Sequence, residues 1–191
     1  VLELAYINSF FETGLKSPLD EAILNHQTID VSAWRKIDEI PFDFERRCVS
    51  VLVDNGSQRW LVAKGAAEDI VRLCTHVERT TADGIQPCDI NASNLQSTCD
   101  LYHALESDGL RVLGVAWREV PRDQKSAAIN DESALVLAGF AAFLDPPKES
   151  AAPALAKLQQ AGVAIKVVTG DSDLVTRHVC QQLNIEVTGV L

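Results

Sequence analysis

The sequence predicts an α+β fold: an antiparallel sheet flanked by helices over residues 1–138, followed by a partial parallel α/β segment over residues 139–191. Three features predict it. Val49, Val51 and Val53 alternate with Ser50 and Leu52 and run into a hairpin signal at Asn55-Gly56, which places two antiparallel strands early in the chain. Leu95, Cys99, Tyr102 and Leu105 recur at helical spacing between strand-like runs, the mixture of an α+β domain. From Gly139 onward, apolar strand, helix, apolar strand and helix alternate, the order of a parallel unit with a right-handed crossover.

Residues 1–13 place Leu2, Ala5, Tyr6, Ser9 and Phe10 on a helical stripe that Gly14 ends. Ser17 and Pro18 open a second helix as N-cap and first helical residue. Residues 27–36 are polar and read as a connection, with Trp34 packing inward. After the Asn55-Gly56 turn the chain returns over Arg59–Ala63, Gly65 closes that strand, and Ala66–Cys74 reads as a short helix. Thr75–Arg79 reads as a strand and Thr80–Asp89 as a turn-rich loop. A helix over residues 93–107 is capped by Gly109; Arg111–Glu119 is a strand, Val120–Asp131 a loop and Leu135–Leu144 a long apolar strand. Beyond Asp145-Pro-Pro-Lys148 a helix runs from Glu149 to Ala161, and Gly162 caps it. Val163–Val168 is a nearly continuous apolar strand of the kind buried on both faces, and a last helix spans Ser172–Leu183. Asp145 and Asp171 then fall at the carboxyl ends of neighbouring strands, the edge where open α/β sheets bind ligands.

Composition narrows the function. With 191 residues and 47% apolar content the chain can bury a core. A formal charge of −10 argues against a nucleic-acid partner or an anionic membrane surface, both of which need a basic face. It leaves ATP open, since ATP needs only a local positive patch. No run of about eighteen apolar residues is present to span a bilayer, and no secretion signal opens the chain. The start at Val1 and the lack of any Met suggest an excised segment. Five cysteines with no C-x-x-C pair read as reduced thiols. Cys99 and His103 are one helical turn apart, but a metal site needs three or four ligands, so none is assigned.

The chain has neither G-x-x-x-x-G-K-[ST] nor two glycines at G-x-G spacing, so a nucleotide site must be of another kind. Lys64-Gly65, at a strand-to-helix junction, could supply a point charge and a backbone that phosphate can approach, or could be a strand-end lysine beside a turn glycine. Phe42 and Phe44 could stack on a base or lie in the core. Arg46 and Arg47 alternate, so at most one faces a shared pocket. Arg111 could reach a phosphate or pair with an acid. Asp145 and Asp171 could serve Mg²⁺ or a phosphoryl group, with the Thr169 hydroxyl at the same edge, or could cap helices. No activated nucleophile is evident: Ser172 has no nearby base.

Taken together, Pro41-Phe-Asp-Phe-Glu-Arg-Arg47, Lys64-Gly-Ala-Ala-Glu68, Gly109-Leu-Arg-Val-Leu-Gly114, Asp145-Pro-Pro-Lys148 and Thr169-Gly-Asp171 resemble, in order and spacing, the P-type cation-transporting ATPases. The resemblance covers essentially the whole chain. It implies a nucleotide-binding (N) domain over residues 1–138 and, over 139–191, part of a phosphorylation (P) domain similar to the haloacid dehalogenase fold. It further implies that Phe42 stacks on adenine, that Lys64 lines the pocket with Gly65 at its floor, and that Asp20 approaches the adenine amino group. Arg111 would reach the phosphates, with Leu113 an apolar contact nearby. Asp145 would belong to the interdomain hinge, and Thr169 and Asp171 to the surroundings of the transferred phosphoryl group. Phe44 stands where some calcium-pump relatives carry an arginine, which removes one expected cationic contact.

Phe-Asp-Phe-Glu-Arg-Arg, the Asp-Pro-Pro-Lys hinge and Ser17-Pro-Leu-Asp-Glu-Ala22 are most similar to bacterial magnesium-importing members, although Cys48 replaces an expected third arginine. The implied ligands are ATP and the Mg²⁺ that accompanies it. The implied partners are the remaining P, A and transmembrane domains of the same pump, and the implied location is the cytoplasmic side of a bacterial inner membrane. The phosphorylated aspartate of Asp-Lys-Thr-Gly-Thr is expected before Val1 and the Gly-Asp-Gly-x-Asn-Asp motif beyond Leu191, so the segment is expected to bind ATP without hydrolysing it. The alternatives are the N domain of a calcium or other cation pump, a stand-alone haloacid-dehalogenase-like phosphatase, and an interaction domain without nucleotide.

Overall fold

A computed structural model describes residues 1–82, 84–144, 147–170 and 172–189. Its contacts divide the chain into a first unit, Val1–Cys99 with Val112–Ala141, and a second, Asp100–Arg111 with Ala142–Leu191.

In the first unit two helices precede the sheet, α1 (Leu2–Phe11) and α2 (Pro18–His26). The strands are β1 (Arg35–Asp43), β2 (Cys48–Asp54), β3 (Arg59–Ala66), β4 (Cys74–Thr81), β5 (Gly84–Asp89), β6 (Leu110–Glu119) and β7 (Leu135–Leu144). Helix α3 (Ala67–Leu73) follows β3, and α4 (Ala92–Ser107) runs from the first unit into the second. Among the described residues the strands form one sheet in the order β1-β2-β3-β6-β7-β4-β5.

β2 is buried along its whole length. Alternation turns Val49, Val51 and Val53 to one face and Cys48, Ser50 and Leu52 to the other. On the first face α1 packs, and Asn8, fully buried, donates from Nδ2 to the carbonyls of Val49 (3.1 Å) and Val62 (2.8 Å). On the second, Leu52 and Leu61 form a cluster with Ile40 and Val120. The β2–β3 hairpin closes as the Asn55-Gly56 signal demands: Gly56 takes φ +86° and the Asn55 side chain accepts from the backbones of Ser57 and Gln58.

Three sequence expectations are corrected here. The connection read over residues 27–36 gives way to β1 at Arg35. Register shifts at Lys36/Asp38 and Ile40/Asp43 break the two-residue period that would have revealed the strand, and Pro41 is tolerated because β1 is an edge. The turn-rich loop of Thr80–Asp89 is instead a hairpin of β4 and β5, whose largely exposed side chains leave no apolar alternation to read. The sheet is mixed rather than wholly antiparallel, because β4 pairs in parallel with β7.

The second unit contains α5 (Ala151–Gln160) and α6 (Asp173–Gln182), both foreseen. Ser172 caps α6, its hydroxyl accepting from Val175 N. Gly109 takes φ +80° and brings the backbone so close to the His178 ring that a Cβ there would lie 2.3 Å from it. The predicted strand Val163–Val168 is absent. Among the described residues no neighbouring strand offers it a ladder, and Val168 is 95% exposed. The parallel, haloacid-dehalogenase-like unit is therefore not confirmed by the described residues. Asp145 and Asp171 lie outside the described residues.

Asn8→Ala removes two buried hydrogen bonds between α1 and the sheet and should cost roughly 1–3 kcal/mol. Urea unfolding of the variant against the parent checks this.

Candidate functional site

Lys64 sits near the end of β3, opposite Val49 of β2 and Val115 of β6. It is only 4% exposed, as is Asp20. Its ammonium donates to Ser9 Oγ at 2.6 Å and to Asp20 Oδ1, and Glu12 Oε2 stands 3.6 Å away. The α1–α2 corner supplies all three partners. Asp20 also completes the capping box of α2: its Oδ2 accepts from Ser17 N (2.9 Å) and Ser17 Oγ (2.6 Å), while its Oδ1 accepts from Ser9 Oγ (2.9 Å). Lys16 donates to the carbonyls of Ser9 and Glu12, at the end of α1.

The two carboxylates respond in opposite ways to one ammonium. Burial alone would raise Asp20, but the Lys64 charge and the hydrogen bonds from Lys64 and Ser17 outweigh it, so its pKa falls below the ordinary 3.8. For Glu12 burial wins: with the Asp20 charge nearby, it overcomes Lys64 and Lys16 and lifts Glu12 above the ordinary 4.5.

Phe42 lies in the register shift of β1 between Ile40 and Asp43. Asp43 is opposite Cys48, and Cys48 is opposite Gly65. Phe42 and Lys64, the chain neighbours of these end members, therefore stand two strand spacings apart, about 10 Å. Phe42 is 54% exposed and meets Phe44, 88% exposed, edge to face with centroids 5.3 Å apart. It is a surface aromatic, not a core one.

The remaining candidates divide. Gly65 is demanded by strand packing, since a Cβ there would come within 2.4 Å of Arg47 O and 2.5 Å of Cys48 Cβ. Leu113 is half-buried opposite Ala66. Arg111 opens the same strand but belongs to the second unit. Thr169 is exposed in the segment without a strand. Arg46 grips the buried Glu132 at 2.6 and 2.7 Å, and Arg47 pairs with Asp69 at 3.3 Å, so both members of the basic pair have acidic partners. Among the described residues no cluster of three His, Cys, Asp or Glu could hold a metal. All five cysteines are free, and burial pushes Cys48 and Cys74 up to about 12. Sequence reasoning missed Ser9 and Glu12 as members of the site. The available signal was a polar Ser9 within the apolar stripe of α1.

The family described as "P-type ATPase, cytoplasmic domain N" matches residues 3–150. The chain belongs to this family. Among relatives, it is 43% identical to the "Magnesium-transporting ATPase, P-type 1" of Salmonella typhimurium (strain 14028s / SGSC 2262), over 100% of this chain and 21% of the relative. It is 42% identical to the protein so described from Escherichia coli (strain K12), over 97% of the chain and 21% of the relative. A "Calcium-transporting ATPase" of Bacillus subtilis (strain 168) is 26% identical over 81% of the chain and 17% of the relative. The chain thus spans about a fifth of the length of the magnesium-transporting relatives.

Two tests address this P-type ATPase N domain directly. Lys64→Met strands Asp20 and Glu12 without their ammonium and should cost about 3–5 kcal/mol, part of it recovered when Asp20→Asn is added; urea unfolding of the single and double variants measures both. Glu12 has the reverse linkage. Its pKa is raised on folding, so its contribution is full below pH 4.5 and lost as pH climbs through the folded value. Glu12→Gln should therefore be at least as stable as the parent at pH 7.5, with any advantage shrinking below pH 4.5. A parent that outlasts the variant in urea at pH 7.5 contradicts this.

Proposed function

We propose that this chain is the ATP-binding module of a bacterial P-type pump for Mg²⁺, placed on the cytoplasmic side of the inner membrane. The observation that carries the reading is Phe42, an exposed aromatic about 10 Å across the sheet from the buried Lys64 cluster. A base stacked on Phe42 would have its edge turned toward polar groups, the usual makeup of a nucleotide pocket. Family membership supports the assignment, and the 42–43% identity to magnesium-transporting relatives supports Mg²⁺ over Ca²⁺ as the transported ion.

In this reading Asp20, Phe42, Lys64, Gly65 and Leu113 form the base end of the site and Arg111 serves the phosphates. Mg²⁺ arrives with the triphosphate. Residues 1–138 form the N domain and 139–191 part of the P domain, with Asp145 in the hinge and Thr169 and Asp171 near the phosphoryl group. Closure of N onto P would carry the γ-phosphate to an acceptor aspartate, a mechanism of positioning more than of chemistry. The sequence holds no Asp-Lys-Thr-Gly-Thr, so these residues bind ATP without cleaving it.

Trp34, Trp60 and Trp117 lie in series, tilted against one another with centroids 4.8 and 4.9 Å apart, and offer a fluorescence reporter. ATP should change their emission. Phe42→Ala should weaken binding roughly 5- to 150-fold, with the melting temperature unchanged. No response at millimolar ATP, or a Phe42→Ala variant that binds as the parent does, overturns the reading. Burst phosphorylation from labelled ATP overturns the claim that the segment does not hydrolyse it.

A further inference from the structure

We infer that Glu132 is a positioning residue for Phe42: acting through Arg46, it holds the aromatic ring where a base can stack on it. The inference rests on the ATP-binding reading and deepens it.

The strand ladder does not place Phe42. Ile40 lies opposite Ser50 and Asp43 opposite Cys48, so Pro41 and Phe42 together face the single residue Val49. Two residues against one make a β-bulge, which bends the strand and re-aims a side chain. Proline brings no N–H to the ladder at this point. Phe42 is exposed, so burial does not fix its ring either.

A side-chain network takes over that task. Arg46 Nη2 donates to Pro41 O at 2.5 Å, the carbonyl of the peptide bond that leads into Phe42. The guanidinium is oriented from its other arm, where Nη1 donates to Glu132 Oε1 (2.7 Å) and Oε2 (2.6 Å). Oε1 also accepts from Ser50 Oγ at 2.6 Å, and Ser50 is the residue opposite Ile40. The series Ser50–Glu132–Arg46–Pro41 therefore starts beside the bulge and ends inside it. Glu132 is 3% exposed, and its own segment is held by Arg118 of β6, which donates to the carbonyls of Asp131 (3.3 Å) and Ser133 (3.0 Å) on either side of it. The anchor thus lies on a strand in the middle of the sheet, while the ring it serves lies on an edge strand.

Stability alone does not account for this pair. A buried ion pair returns little net stability compared with apolar residues of the same size, and its best-attested use is to specify one conformation among several. Nor is Arg46 suited to a phosphate: its side chain is 17% exposed, and its charge is met by Glu132. Its remaining bond goes to the backbone one residue before the stacking ring. A binding group keeps its geometry when neighbouring hydrogen bonds lock it, and Phe42 has that lock only through Arg46 and Glu132 among the contacts described above.

The test titrates ATP and AMP against the whole chain by tryptophan fluorescence. Glu132→Gln keeps the size of the side chain but puts a donor where Arg46 and Ser50 need acceptors. It should weaken both nucleotides by the same factor, roughly 3- to 10-fold. With Phe42→Ala already present, it should change ATP binding by less than about twofold. Arg46→Lys, which keeps the charge but loses the fork, should behave alike, and it decides the matter if Glu132→Gln does not fold. A pair that served stability alone would lower the melting temperature and leave the folded variants binding as the parent does. That result, a loss confined to ATP, or a loss undiminished beside Phe42→Ala overturns the positioning role and leaves ATP binding standing. A parent that responds to neither nucleotide overturns the ATP reading itself.

Discussion

A buried ammonium has to be neutralised where it lies, and the first unit is arranged around that requirement at Lys64. The lysine projects from a strand in the middle of the sheet, so its counter-charges must come from whatever covers that face. The α1–α2 corner provides them: Ser9, Glu12 and Asp20 converge on one Nζ. The capping box of α2 links this cluster to local structure, because the carboxylate that ends the lysine's search for a partner also starts the helix. Helix initiation, docking of the hairpin on the sheet and charge neutralisation are then one interaction rather than three.

The other face of β2 solves a similar problem with different residues. Ser50 donates to Glu132 Oε1 at 2.6 Å, and Arg46 grips the same carboxylate. This anchors the long connection between β6 and β7 to the turn between β1 and β2. That turn is shaped by Asp43, whose Oδ1 accepts from the backbones of Glu45 and Arg46, and Arg47 follows at φ 52°. Phe42 precedes this turn. The basic pair therefore acts on the site indirectly, holding the segment that presents the aromatic ring while its charges are met by Glu132 and Asp69.

What the sequence makes legible follows from where burial is strong. β2, β3, β6 and β7 carry apolar runs because neighbours cover them, and their positions can be read directly. β1 and β5 are edges: one is irregular in register and the other exposed, so neither writes a two-residue period. Val163–Val168 shows the converse. Its composition is that of a buried strand, yet pairing is a property of neighbours, and composition cannot supply them. At the site, Asp20 and Lys64 were legible from motifs, whereas their bond spans 44 positions and no local pattern encodes it. Glu12 was illegible for a further reason: a glutamate at a helix end is unremarkable until its burial is known.

The arrangement also bears on how the proposed nucleotide site would divide its labour. A lysine in a phosphate site needs donors to spare, and two of the three on Lys64 are already committed to Ser9 and Asp20. Freeing them would expose Asp20 and Glu12 to each other without a counter-ion, which is costlier than losing a surface ion pair. The ammonium is thus better suited to fixing the shape and polarity of the proposed site than to following a phosphate chain. If the base end is built as a rigid, nearly closed polar cluster, then the triphosphate end is left to residues that can move, which suits a module whose proposed task is to present the γ-phosphate to another domain. Rigid recognition of the base and mobile handling of the phosphates are compatible in one site only when the two are separated along the ligand.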